Sequence, residues 1–176
     1  MNITAGIFKG RKIIAPDEKI TRPTLSKVRM SVFNTLQAMI DFEGKSFLDM
    51  FSGSGIMALE ALSRGFSDVT AIEKNPKAAS VIKNNFAKFV PSPKLIKGDC
   101  LKIISESEQC FDVVYIDPPY YSGVYEAAIT AVKDFAQIII LEHVTDVDFA
   151  PLELLKQKKY GDKYISFLHT KREENL

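Results

Sequence analysis

Ser46-Phe-Leu-Asp-Met-Phe-Ser-Gly-Ser-Gly55, running on into Ile56-Met-Ala-Leu-Glu-Ala-Leu-Ser-Arg-Gly65, decides the fold. A short stretch of strand character enters a glycine loop, and the loop opens a segment of helical spacing that Gly65 closes. This order lets backbone N–H groups approach a ligand at a helix N-terminus. Gly53-Ser-Gly55-Ile-Met-Ala58 also fits G-x-G-x-x-A, the dinucleotide pattern, so the loop alone leaves two cofactors open, a nicotinamide dinucleotide and S-adenosylmethionine.

Downstream, strand and helix patterns alternate. Strands are predicted at 69–73, 94–97, 111–116 and 137–142, and helices at 76–90, 100–105 and 125–135. Such repetition predicts a Rossmann-like α/β fold, a mostly parallel sheet covered on both faces, with ligands at the carboxyl ends of the strands. Tyr164 to His169, after the turn Tyr160-Gly-Asp162, predicts an antiparallel last strand. Upstream, Ile3 to Ala15 reads as two short strands around Lys9-Gly10, and Pro16 to Leu25 as a basic loop. Ser26 reads as the cap of a helix carrying Val28, Val32, Phe33 and Leu36 at helical spacing. The expected organisation is a small N-terminal hairpin and loop over residues 1–25 followed by one domain over 26–176.

With 176 residues, 46% hydrophobic and 26% charged, the chain has room for one filled core but not for a second full-sized domain. The longest aliphatic run, Ile138-Ile-Ile-Leu141, cannot span a bilayer, and no secretory leader pattern is present, so no membrane partner and a cytoplasmic setting are expected. Cys100 and Cys110 lack metal-ligand spacing, and only His143 and His169 could assist them, so no metal site is expected. The net charge of +1 hides an asymmetry: residues 1–45 hold eight Lys/Arg against four acids. A polyanion would dock there.

Asp117-Pro-Pro-Tyr120 directly follows the apolar run Phe111 to Ile116. A carboxylate and a proline-stiffened backbone at a strand end offer hydrogen-bond acceptors in a fixed array, and the aromatic offers a stacking face. That combination suits methylation of an exocyclic amine on a planar base. It also weighs the cofactor choice toward S-adenosylmethionine, whose ammonium and sulfonium groups favour an acid beside the loop, such as Asp49. Glu73, ending the next strand, stands where an acid would grip ribose hydroxyls, and Asp99 where one would accept from the adenine amine. Each acid also has a structural reading, Asp49 as a loop carboxylate and Glu73 and Asp99 as helix caps. Phe51 and Cys100 complete the expected cofactor set, Cys100 as a packing residue rather than a nucleophile.

Arg22-Pro-Thr24, Val28-Arg29, Phe33-Asn34, Leu48-Asp-Met-Phe-Ser-Gly-Ser-Gly55, Glu60-Ala-Leu-Ser-Arg-Gly65 and Asp117-Pro-Pro-Tyr120, in this order, resemble the bacterial 16S ribosomal RNA guanine-N2 methyltransferase D family. The resemblance covers nearly the whole chain. It implies transfer of a methyl group from S-adenosylmethionine to the N2 amine of one guanine, position 966 of 16S rRNA in the usual numbering, in the small subunit; the expected partner is that subunit or its assembly intermediate, and the chain is expected to be a monomer. Carried over by motif, Asp49, Gly53, Gly55, Glu73 and Asp99 hold the cofactor, and Asp117, Pro118, Pro119 and Tyr120 hold the base. Arg11, Lys12, Arg22, Thr24, Lys27 and Arg29 are the expected RNA contacts. Ser26-Lys27 stands where the family usually has an acid-basic pair, and Met30 where it often has Glu. The other readings open at this level are a DNA adenine-N6 methyltransferase, which usually carries a larger target-recognition region, and a non-catalytic RNA-binding or ribosome-assembly protein on the same fold.

Overall fold

The computed structural model describes residues 1–17, 25–119 and 123–170. The chain runs α1 (Ser26–Gln37), β1 (Ser46–Asp49), α2 (Ile56–Arg64), β2 (Asp68–Glu73), α3 (Pro76–Phe86), β3 (Lys94–Lys97), α4 (Cys100–Ser105), β4 (Phe111–Ile116), α5 (Tyr125–Val132), β5 (Ala136–His143), β6 (Glu153–Tyr160) and β7 (Lys163–His169). The seven strands lie in the order β3-β2-β1-β4-β5-β7-β6. The first five in that order are parallel, while β7 is antiparallel to both β5 and β6. Strand order reverses between β1 and β4, and a crevice at the carboxyl ends is expected at such a switch point.

The central strands are buried on both faces, which is why they read as continuous apolar runs. Phe47, Val113, Tyr115, Ile138 and Ile140 enter one core with α1, α2, α3 and the N-terminal segment. Leu48, Val114, Ile116, Ile139 and Leu141 enter the other with residues of α4 and α5. Helix α2 is buried from Ile56 through Ser63, enclosed by the sheet and its neighbours rather than lying on the surface.

Several boundaries differ from the sequence reading. The N-terminal segment is not a two-stranded hairpin but one antiparallel bridge, Asn2 with Lys12, across a wide loop. The arms still meet there, Ile13 N–H donating to the Met1 carbonyl at 2.8 Å and Ile3 N–H to the Arg11 carbonyl at 3.1 Å, but the backbone between them turns to α2: Ile7 N–H donates to the Ser63 carbonyl at 2.8 Å and Phe8 N–H to Ser63 Oγ at 2.9 Å. This approach requires Gly6, whose φ is +80° and whose Cβ, if present, would lie 1.7 Å from the Ser63 carbonyl oxygen. Ser26 is the first residue of α1 rather than its cap, a place held by Leu25 without side-chain help. Helix α3 stops at Phe86, short of the expected 90, because Lys88 and Phe89 turn tightly back onto Asn85 and Phe86 ahead of Pro91. Helix α5 ends at Val132, with Phe135 N–H turned back onto the Val132 carbonyl at 2.9 Å.

Candidate active site

A cavity of about 810 Å³ opens over the carboxyl ends of β1, β2 and β4, at the switch point. The glycine loop forms one wall. Gly55 caps α2 with φ +79°, and a Cβ there would meet the Phe86 ring at 2.8 Å, so glycine lets α3 close onto the loop. Phe51 and Gly53 line the cavity beside it.

Asp49, the last residue of β1, lines this cavity although it is 1% exposed. Its carboxylate accepts from Ser52 Oγ at 2.7 Å. Burial pushes its pKa up to about 7, opposed by the Ser52 hydroxyl and the Ala58 N–H and reinforced by the nearby Glu73 carboxylate. No salt bridge joins Asp49 to a cation among the described residues, so the site holds a desolvated acid facing space, a fit for a cationic ligand.

Glu73 ends β2 and closes the loop from the other side. One carboxylate oxygen accepts from Gly53 N–H and the other from Asn75 N–H, both at 2.7 Å. The loop N–H that would receive a phosphate is thus already turned to a carboxylate. A pyrophosphate would face Asp49 and Glu73 together, two like charges with little water to screen them. This resolves the choice that the glycine pattern left open: the carboxylate acceptors suit the ammonium, sulfonium and ribose hydroxyls of S-adenosylmethionine, with the remaining lone pairs of Glu73 available to hydroxyls.

Asp99 borders the cavity as the N-cap of α4, accepting from Leu101 N–H at 3.1 Å. Its other oxygen pairs with Lys74 Nζ at 2.7 Å, and this lysine holds its pKa below the usual carboxylate value. Cys100 is buried, and desolvation, with the Asp99 charge adding to it, pushes its thiol up to about 12, which removes it as a nucleophile.

Asp117, Pro118 and Pro119 line the far side of the cavity, directly after β4, with Asp117 half-buried and Pro118 buried. Tyr120 lies outside the described residues, as do Arg22 and Thr24. Beneath Asp117 is a group the sequence reading missed. Tyr115, fully buried yet lining the cavity, donates its hydroxyl proton to Glu142 on β5, and Glu142 also accepts from Lys163 Nζ of β7 at 3.0 Å. Burial first, then the Glu142 and Asp117 charges, raise the Tyr115 phenol well above its ordinary pKa, so it remains a hydrogen-bond donor. Its signal was its position two residues before Asp117, on the same face of the strand. His143 is structural: Nδ1 lies 2.7 Å from the Thr145 carbonyl and Nε2 2.9 Å from Ser166 Oγ.

The expected RNA contacts divide. Lys12 and Lys27 are exposed. Arg11 is exposed, but its guanidinium stacks over Phe89 at 4.0 Å and donates to the Lys88 carbonyl. Arg29 is a correction. It is buried and paired with Glu60 at 3.2 Å, and it donates to the Asn2 carbonyl at 2.8 Å, so it cannot reach a phosphate.

The family described as conserved hypothetical protein 95 matches residues 1–169. Ribosomal RNA small subunit methyltransferase D of Escherichia coli strain K12 is 30% identical over 135 residues, spanning 76% of this chain and 67% of that protein. Among solved structures, the Escherichia coli protein yhhF superposes with a TM-score of 0.87 at 25% identity, covering 98% of this chain and 99% of that one. The sheet also matches TrmK of M. capricolum, solved with S-adenosylhomocysteine, at TM-score 0.65 and 13% identity over 80% of this chain and 68% of that one.

Proposed function

Because the chain belongs to the conserved hypothetical protein 95 family, which takes in the ribosomal small-subunit methyltransferases D, we propose that it methylates the exocyclic N2 amine of one guanine in 16S ribosomal RNA. The observation that carries the reading is Asp117-Pro118-Pro119 on the rim of the cavity, one strand across from Asp49 and the glycine loop. S-adenosylmethionine supplies an electrophilic methyl group when bound; Asp49, Gly53, Gly55, Glu73 and Asp99 are the residues to hold it, with Phe51 and Cys100 packed alongside.

The guanine N2 lone pair is delocalised into the ring, so the amine is a weak nucleophile. Asp117 and the Pro118 carbonyl accept its two hydrogens, fixing the nitrogen and turning its lone pair toward the cofactor side. Tyr120 stacks on the base. Tyr115, held by Glu142 and Lys163, keeps the β4 end rigid beneath Asp117. A paired base cannot reach this pocket, so the target must be unstacked. The substrate is the small subunit or its assembly intermediate in the cytoplasm, and the enzyme acts as a monomer.

The test is transfer of labelled methyl to small subunits from a strain lacking this modification, with the product mapped by mass spectrometry. Label on N2 of one 16S guanine is expected, with the Asp117→Ala protein at least ~10²-fold slower and its cofactor affinity retained. Label on an adenine, or no label in 16S rRNA, would overturn the assignment.

A further inference from the structure

The sheet divides its own carboxyl edge. The cavity lies over the ends of β3, β2, β1 and β4, with Asp117, Pro118 and Pro119 on the side that faces β5. If the proposed function holds, RNA presenting a base to Asp117 lies over the other half, above β5, β7 and β6. The register of the last hairpin pairs Tyr160 with Lys163 and His143 with Tyr164, which brings the turn at 161–162 to that same carboxyl edge.

Strand β6 carries Lys156, Lys158 and Lys159 within four residues. Lysines on an edge strand commonly guard it against pairing with another sheet, but here the geometry is more specific. Lys158 Nζ donates to Ser31 Oγ of α1 at 3.1 Å, and the Tyr160 hydroxyl donates to the same Ser31. Lys158 is therefore tied against α1 with two ammonium hydrogens remaining. Lys156 shares its face of the strand, and Lys27 sits one helical turn before Ser31 on the same side of α1.

The amino end of α1 points to the catalytic edge. Arg29 meets Glu60 and Asn34 meets Arg64, so α1 runs alongside α2 in the same direction, and α2 starts at that edge. Beside Lys27, Met30 is 42% exposed and Leu25 72% exposed, apolar surface of the kind that receives ribose and base. Arg11, by contrast, is stacked beside residues 88–89, which lead into β3 at the opposite edge of the sheet.

We propose that the seam between α1 and β6, with Lys27, Lys156 and Lys158 as phosphate contacts, seats the RNA backbone flanking the target nucleotide. Binding and chemistry can be read separately. Fluorescence anisotropy of a labelled 16S fragment is followed from 50 to 200 mM salt for the wild-type protein, the Lys27→Gln/Lys156→Gln/Lys158→Gln triple variant and the corresponding triple arginine variant. A Lys83→Gln/Lys94→Gln variant at the far edge is the control. Cofactor affinity and thermal melting are recorded for each.

The triple glutamine variant is expected to bind RNA ~10–100-fold more weakly, with a salt slope shallower by about 2 to 3, since each neutralised phosphate contact contributes roughly 0.7–0.9 to the slope. Its cofactor affinity should match wild type, and the arginine variant should recover RNA binding. Unchanged affinity and slope in the glutamine variant, or a loss that arginine does not recover, would overturn the proposal. So would a loss of the same size in the control. A wild-type protein that binds RNA through this seam yet methylates no 16S guanine would overturn the proposed function and leave the docking surface standing.

Discussion

Asp49 is the residue on which the proposed cofactor site turns, because it is a carboxyl placed where ionisation is unfavourable until a cation arrives. Its pKa of about 7 stands above the ordinary 3.8, so between about pH 4 and 7 the folded chain keeps a proton that the unfolded chain has lost. The sign follows: the cofactor-free protein loses stability from this group as pH rises through that window, by on the order of 4 kcal/mol in full, and levels off above it. Asp49→Asn should therefore flatten the pH dependence and raise the urea midpoint of the cofactor-free protein at pH 8. A bound cation reverses the preference by favouring the carboxylate. Cofactor affinity should then strengthen as pH rises from 5.5 to 7, with about one proton released at the lower pH. Calorimetry in buffers of different ionisation enthalpy measures both quantities, and an affinity independent of pH over that range would contradict the account.

Among the elements, α2 holds the molecule together through one acid. Glu60, with no exposed surface, accepts from Thr4 N–H at 2.8 Å, Thr4 Oγ1 at 2.9 Å, Arg29 Nε at 3.2 Å and Arg64 Nε at 3.3 Å. It joins the N-terminal segment, α1 and α2 at a single carboxylate. Replacing it with alanine leaves two buried guanidinium groups without their carboxylate, which costs about 3–5 kcal/mol; chemical denaturation should show that loss, and an Arg29→Ala/Glu60→Ala cycle should show strong coupling. Glu60-Ala-Leu-Ser-Arg-Gly65 was legible as a signature and as a helix with a glycine stop, because capping and periodicity are local. What the residues do was not legible, since Glu60, Ser63 and Arg64 act on partners 30 to 60 residues away. Arg29 was misplaced on the RNA face for the same reason: an arginine in a basic stretch looks like a phosphate contact until its buried partner is known. Asp49, Glu73 and Asp117 could be placed at strand ends because β-α alternation brings consecutive strand ends to one edge, whereas Tyr115 and Glu142 meet only through the β4–β5 register.

At the scale of the whole molecule, the sequence pattern draws a boundary after residue 25, but the core does not break there. Ile3, Phe8 and Ile13 are buried in the same cluster as Phe33, Leu59 and Phe86. Phe8 meets Phe89 edge to face at 5.0 Å. Asn85 of α3 extends the join to the glycine loop: its Oδ1 accepts from Ile14 N–H at 3.0 Å, and its Nδ2 donates to the Ile14 carbonyl at 2.7 Å and the Ser54 carbonyl at 3.5 Å. The N-terminal segment thus supports the wall against which the glycine loop rests. Each large apolar side chain withdrawn from the core costs roughly 1.5–3 kcal/mol. Losing three, along with the Thr4 and Asn2 contacts to Glu60 and Arg29, approaches the ~5–15 kcal/mol that holds a typical domain together. A chain starting at residue 26 is therefore expected to melt without a sharp transition, to bind a hydrophobic dye at 25 °C and to lose measurable cofactor affinity. A cooperative melt with cofactor affinity near that of the full chain would instead make residues 1–25 an appended module, and the contacts from Ile14 through Asn85 to Ser54 would then have no bearing on the cofactor site.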